Sequence, residues 1–228
     1  MKRLSPRLKE AAALVRKVDT IADIGTDHAY LPIYLIGHGI CRRVIASDLR
    51  KGPLENARAN VEAAGFGEQI ELRLSDGLTN YRADEAQDIV IAGMGGILIA
   101  EILDKTPWLK RGDKHLVLQP MTHAEYLRAY LMANGYRILR ESVCEDDGKL
   151  YCFMSCAHTD EPQKFDAFYE YYGELPNSSD QLAAVYLRRL AARCLREAAA
   201  IGETDKKRSA RLRQIAQKLE SILANKEQ

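Results

Sequence analysis

No stretch of this 228-residue chain carries enough consecutive apolar residues to span a bilayer. The opening residues M-K-R-L-S-P-R-L-K run into no apolar segment of secretory length. The cysteines are five, an odd number, and no two stand in a zinc-type C-x-x-C pair. These absences argue for a cytoplasmic protein with reduced thiols, no bound metal and no membrane partner. Cys152 and Cys156 fall on one face of an expected strand, where core packing is the default for such thiols. The formal net charge is only +1, so bulk charge says nothing about partners. Its distribution says more. Residues 1–20 carry Lys2, Arg3, Arg7, Lys9, Arg16 and Lys17 against two acids, and residues 188–213 carry nine basic residues against three acids. Basic ends around an acidic middle are compatible with a polyanionic partner.

A dinucleotide-type G-x-G-x-x-G is also missing from the place where it would count. The stretch Ile21–Pro32, I-A-D-I-G-T-D-H-A-Y-L-P, reads as strand, tight turn on Gly25, then helix, the opening of a nucleotide-binding α/β unit. It has one glycine and two carboxylates, Asp23 and Asp27. Carboxylates repel a pyrophosphate but suit a ligand with an amino group, ribose hydroxyls and a sulfonium. S-adenosylmethionine is such a ligand.

The rest of the chain repeats the unit. Strands are expected at 21–24, 44–47, 70–74, 88–92 and 115–118, with helices at 4–18, 31–37, 52–64, 97–103 and 125–134. Ser5-Pro6 starts the first helix, and Gly65 and Gly135 close two others. Two long strands, 136–145 and 149–157, are joined by Asp146-Asp147-Gly148, a hairpin signal. The fold expected is α/β, Rossmann-like, a mostly parallel sheet with an antiparallel edge hairpin. Beyond Pro162 an aromatic cluster precedes two helices, 180–201 and 204–225, that form an antiparallel hairpin. Leu182, Val185, Leu190 and Leu195 mark the apolar positions of the first. The expected division is 1–160 for ligand binding and chemistry, and 161–228 as a helical coiled coil.

Each of the first five strands ends in a polar or glycine-rich loop, the edge at which such sheets bind ligands. Asp23 can hold an amino group. Asp48, followed by Leu49, ends the second strand, where two carboxylate oxygens match adjacent ribose hydroxyls. Asp76 and Gly77 end the third, an acceptor for an adenine amino group beside a backbone that can approach the ring. Ala92-Gly93-Met94-Gly95-Gly96 ends the fourth. The Asn/Asp-Pro-Pro-aromatic motif of amino-directed adenine methyltransferases is absent there, which leaves ring-nitrogen methylation open. A ring nitrogen has a free lone pair, so the enzyme need only align it and relieve the charge of the product. Asp27 and His28 are the candidates for that relief, with Gly93 and Met94 beside the base.

The segments D-I-G-T-D-H-A-Y-L-P, K-G-P-L-E-N-A, S-D-G-L, I-A-G-M-G-G and L-Q-P-M, in this order from about Leu4 to Ala157, closely resemble the bacterial TrmK family. Those are tRNA adenine N1-methyltransferases acting on position 22. The resemblance implies a class I methyltransferase fold, S-adenosyl-L-methionine as donor and tRNA as substrate. It places Asp23, Gly25, Asp27 and His28 in the family's first motif, Asp76-Gly77 in its third-strand motif, and Gly93, Gly95 and Gly96 in its glycine loop. Two departures stand out: Asp48 where the family often has Glu, and Gln119-Pro120-Met121 where it more often has Q-P-N.

Arg7, Arg188, Arg189, Arg193, Lys206, Lys207 and Arg208 are the residues expected to grip RNA phosphates. A monomer is expected. Two rivals remain open at this stage: a methyltransferase for a small molecule or protein, and a non-catalytic RNA-binding module.

Overall fold

The structure is a computed structural model that describes residues 4–178 and 180–226. Lys2, Arg3 and Ser179 lie outside them. Helix α1 spans Pro6–Leu14, with Pro6 in its first turn and the Ser5 hydroxyl accepting from the Leu8 amide at 3.3 Å. It stops four residues short of the expected end. The reason is Asp88, buried at the start of a strand, which accepts from the Arg16 amide at 2.7 Å and from its guanidinium at 2.7 and 2.8 Å. A helix running through residue 16 could not offer that amide.

Five parallel strands follow, all but β3 leading into a helix: β1 (Thr20–Ile24), α2 (Tyr30–Gly37), β2 (Arg43–Asp48), α3 (Lys51–Ala64), β3 (Ile70–Leu74), β4 (Asp88–Met94), α4 (Gly96–Asp104), β5 (His115–Pro120) and α5 (Ala124–Ala133). A short 3-10 turn, Pro107–Lys110, precedes β5. The antiparallel pair is β6 (Tyr136–Asp146) and β7 (Lys149–His158). Asp147 and Gly148 take φ of 50° and 71°, the double left-handed turn that matches strand twist.

The seven strands run in the order β3-β2-β1-β4-β5-β7-β6. The hairpin folds back so that its second strand, β7, lies antiparallel beside β5, and β6 becomes the edge. Strand order reverses between β1 and β4, and a crevice opens there at the carboxyl ends. Side chains alternate across the sheet. Ile21, Val44, Val90 and Val117 pack under α1, α2 and α3. Ala22, Ile45, Ile89 and Leu116 pack under α4 and α5.

The same second face continues into the tail. Helix α6 (Tyr169–Tyr172) leads to α7 (Gln181–Ile201) and α8 (Lys206–Lys226), capped at its start by Asp180 in the case of α7. The buried positions of α7 are Ala183, Leu187, Leu190, Ala191, Cys194 and Ala198. Leu195 is exposed, because the seam with α8 runs along the small residues instead. Leu212, Ile215, Leu219 and Leu223 of α8 close that core. All five cysteines are buried and unpaired. Burial pushes the thiols of Cys41 and Cys144 up to about 11.

A buried ion pair fastens tail to sheet. Arg128 of α5 donates from Nε to Glu141 of β6 at 2.8 Å and from Nη1 to the carbonyls of Glu170 and Tyr171. The Glu174 amide donates to the second Glu141 oxygen at 2.6 Å. Gly173, at φ 53°, sits where any Cβ would strike both charged groups.

Candidate active site

The β1 turn is held by backbone bonds to β2. The amides of Gly25 and Thr26 both donate to the Ser47 carbonyl, at 2.8 and 2.9 Å. Gly25 has φ +80°, and a Cβ there would run into the Met94 methyl. Past the turn, Asp27 and Ala29 both take left-handed backbone, φ 51° and 55°, on either side of His28. Asp tolerates that region and a buried Ala does not, so the loop is strained at its functional centre. It is held there by Asn60 of α3, whose amide nitrogen donates to the His28 carbonyl at 3.0 Å. The His28 ring stacks on Tyr30 at 5.3 Å, and its Nε2 lies 3.5 Å from an Asp27 oxygen.

The β4 end is not the open loop its glycines suggest. β4 runs on through Met94, with a register shift against β5 between Ala92 and Met94. Gly93 occupies that bulge at φ 81°. Its amide donates to the side-chain oxygen of Gln119, at 3.0 Å, and Gln119 is fully buried. Gln119 and Pro120 are strand residues, and the Met121 amide bonds the Met94 carbonyl at 2.8 Å. Gly96, at the start of α4, lies against the carbonyls of Thr122 and His123 with no room for a side chain.

Between these two strand ends lies a cavity of about 460 Å³. Asp23, Gly25, Asp27, His28, Ala92 and Gly93 all line it, as the sequence reading grouped them. So do Leu4 and Ser5 just before the first helix, Arg7 and Leu8 within it, and Thr26. The first helix was not expected to roof this cavity; its basic residues pointed only to a polyanion.

Asp48, Leu49, Asp76 and Gly77 lie farther along the same sheet edge, outside that cavity. Asp48 ends β2 and accepts from the Arg50 amide at 2.9 Å. Leu49 beside it is 64% exposed. Asp76 follows β3 and is exposed. A Cβ at Gly77 would come within 3.0 Å of Ile102 of α4, so packing against that helix is what a side chain there would disturb. Met94 packs its methyl beneath Gly25 and does not line the cavity.

Asp23 is the electrostatic centre. It is 6% exposed, and its carboxyl is raised to about 6, first by burial and then by the neighbouring Asp48, against an opposing contribution from Thr26. An ammonium delivered to it would be met by a carboxylate with little water to displace.

Met121 is the meeting point of the remaining surface. Two grooves lead from it toward α7 and α8. One is lined by Tyr151, Arg189, Arg193 and Arg196, the other by His123, Tyr171, Arg193, Arg208 and Arg211. Arg193 lies 3.6 Å from Glu125 and 3.8 Å from Glu197, and Lys206 pairs with Glu203 at 2.5 Å. Arg188, Arg189 and Lys207 are exposed. Among the described residues no group of three or more His, Cys, Asp or Glu could hold a metal ion. Among the described residues no helix is long and apolar enough to cross a membrane.

The methyltransferase-domain family model matches residues 4–154, which take in the roof helix, the β1 turn and the sheet as far as the middle of β7. The tRNA (adenine(22)-N(1))-methyltransferase of Bacillus subtilis is 35% identical over 189 residues, covering 82% of this chain and 79% of its own. The chain belongs to this methyltransferase family. The crystal structure of the B. subtilis m1A22 tRNA methyltransferase TrmK superposes with a TM-score of 0.83 at 30% identity, over 99% of each chain. A Streptococcus pneumoniae protein solved with S-adenosyl-L-methionine gives 0.83 at 31% identity, over 97% of this chain and all of its own. The family's shared architecture thus reaches past the sheet and includes the helical tail.

Proposed function

We propose that this protein transfers the methyl group of S-adenosyl-L-methionine to N1 of adenine 22 in tRNA. The observation that carries the reading is one cavity, at the sheet's switch point, onto which the acid-bearing β1 turn and the glycine bulge of β4 both open. The residues fit the donor. A buried carboxylate stands where an amino group is needed, Asp48 lies along the edge for ribose hydroxyls, and Gly25 and Gly93 keep the backbone bare.

When bound, the donor supplies a methyl group on a sulfonium, open to attack by a lone pair. Asp23 holds the donor's ammonium. The bulge at Gly93, propped by Gln119, gives a flat base room beside the β4 end. Asp27 faces the cavity with its charge available to the adenine, which becomes cationic as N1 gains its fourth bond. His28, stacked on Tyr30, is placed to bond the base or relay a proton.

The functional division falls near residue 160, with the tail helices holding the tRNA. Arg189, Arg193 and Arg208 supply phosphate contacts along the grooves that start at Met121, and Arg188, Lys206 and Lys207 supply them from exposed positions of the same helices. A flipped adenine then reaches the cavity. The working enzyme is a cytoplasmic monomer. The test is methyl transfer from labelled S-adenosylmethionine to unmodified tRNA, with the nucleosides identified. Label in 1-methyladenosine at position 22 supports the reading; label in no tRNA, with cofactor still bound, overturns it.

A further inference from the structure

Met121 and Arg193 line both basic grooves, and of the two it is Met121 that is bonded to the wall of the cavity. Its sulfur accepts from Arg7 Nη1 at 3.2 Å and from Gln119 Nε2 at 3.6 Å. Arg7 lines the cavity, and the same Gln119 side chain props the Gly93 amide through its oxygen. The Met121 backbone is fixed to Met94, one residue past the bulge. Two donors and a strand thus hold the residue in place, yet it stays 43% exposed beside the buried Gln119 and Pro120. A lone exposed methionine carries no meaning by itself. This one stands at the junction of two RNA-sized grooves and the reaction cavity.

A base that leaves its stack loses contact on both faces, at a cost of a few kcal/mol. The Gly93 bulge offers it space but little surface. The nearest atom outside Gly93's own chain neighbours, Arg7 Nη1, is 3.9 Å from where a side chain would begin. Met121 supplies what the bulge lacks. A thioether is polarisable, adapts its shape and packs well against an aromatic ring. RNA whose phosphates follow the grooves has to bring its flipped base past this side chain to reach the cavity.

We propose that Met121 packs against the face of the target adenine and holds it out of the RNA stack at the mouth of the cavity. This rests on the tRNA-methylation reading above. The test follows Met121→Ala and Met121→Leu in two assays: single-turnover methylation at saturating cofactor and tRNA, and emission from tRNA carrying 2-aminopurine in place of adenine 22. That base brightens when it unstacks. Met121→Ala should slow methylation about 10-fold and shrink the rise in emission with it. Met121→Leu keeps the apolar bulk without the sulfur and should stay within about 3-fold of the native rate. Both variants should bind S-adenosylhomocysteine as the native protein does, which also shows that they are folded.

Equal losses in the two variants would overturn the assignment, because the sulfur's bond to Arg7 would then matter and not the apolar surface. Weaker S-adenosylhomocysteine binding in both would overturn it for the same reason. Lower tRNA affinity in Met121→Ala, with rate and emission at saturation unchanged, would move Met121 into the phosphate grip. A native protein that gives neither an emission rise nor 1-methyladenosine would instead sink the tRNA reading itself.

Discussion

Asp23 carries the clearest pH signature of any single residue. Its carboxyl titrates near 3.8 when unburied and at about 6 in the fold. A raised acid contributes stability that is fully present below about 3.8 and lost as pH rises through about 6, amounting to about 3 kcal/mol for a shift of this size. The unliganded native protein should therefore gain stability over Asp23→Asn as pH falls from 7 toward 4, read by thermal melts of both. Cofactor affinity should run the other way. The ammonium needs an ionised Asp23, so the Kd for S-adenosylhomocysteine should rise about tenfold per unit below pH 6, and the pH dependence should vanish in Asp23→Asn. Asp27 should behave differently, being a surface carboxylate in a left-handed turn that Asn also tolerates. Asp27→Asn should cost about 10²-fold in methyl transfer under single turnover while leaving the melting temperature unchanged. An unaltered rate would remove Asp27 from the charge-relieving role. That Asp23, Gly25 and Asp27 meet at one cavity could be read from sequence because they lie within a turn of a few residues. Arg7 could not, since its place depends on Met121, 114 positions away.

The elements were legible wherever local signals governed them. Ser5-Pro6, Gly65 and Asp147-Gly148 each mark a boundary through their own backbone preference, and each boundary stands in the fold. The ends that moved were set by distant partners. Asp88 drew Arg16 out of α1, and Gln119 bonded Gly93 across two strands, so β4 and β5 outran the glycines and proline expected to stop them. The small-residue seam of α7 hid behind its leucines for a related reason: close approach to α8 favours Ala and Cys, which periodic counting underweights. The Arg128–Glu141 pair is likewise invisible in sequence, yet it joins α5, β6 and the start of the tail. Glu141→Gln should cost about 3–5 kcal/mol, since it strands a buried guanidinium, with a fall in melting temperature of roughly 10 °C. The paired replacement Arg128→Met with Glu141→Leu should recover most of that loss. A single variant as stable as the native protein would show that the pair does not anchor the tail.

At the scale of the whole molecule, the charge asymmetry seen in the sequence becomes a geometric one. The near-zero net charge conceals grooves in which arginines of α7 and α8 face the sheet edge around Met121. Their charges are not equally available. Arg193 is flanked by Glu125 and Glu197, and Arg211 by Glu170 at 2.9 Å, whereas Arg189 has no ion pair among the described residues. A phosphate that reaches Arg193 must compete with carboxylates already there, and one that reaches Arg189 displaces only counterions. Each phosphate contact adds roughly 0.7–0.9 to the slope of log affinity against log salt. Arg189→Gln should therefore flatten the salt dependence of tRNA binding by nearly that full amount. Arg193→Gln should flatten it by clearly less, because removing it also frees two acids to repel the RNA and part of its charge was never open to a phosphate. Binding isotherms between about 50 and 200 mM salt resolve slopes of this size. Equal slopes for both variants would mean that the ion pairs around Arg193 open when RNA docks. Two slopes identical to that of the native protein would remove this face of α7 from the RNA path altogether.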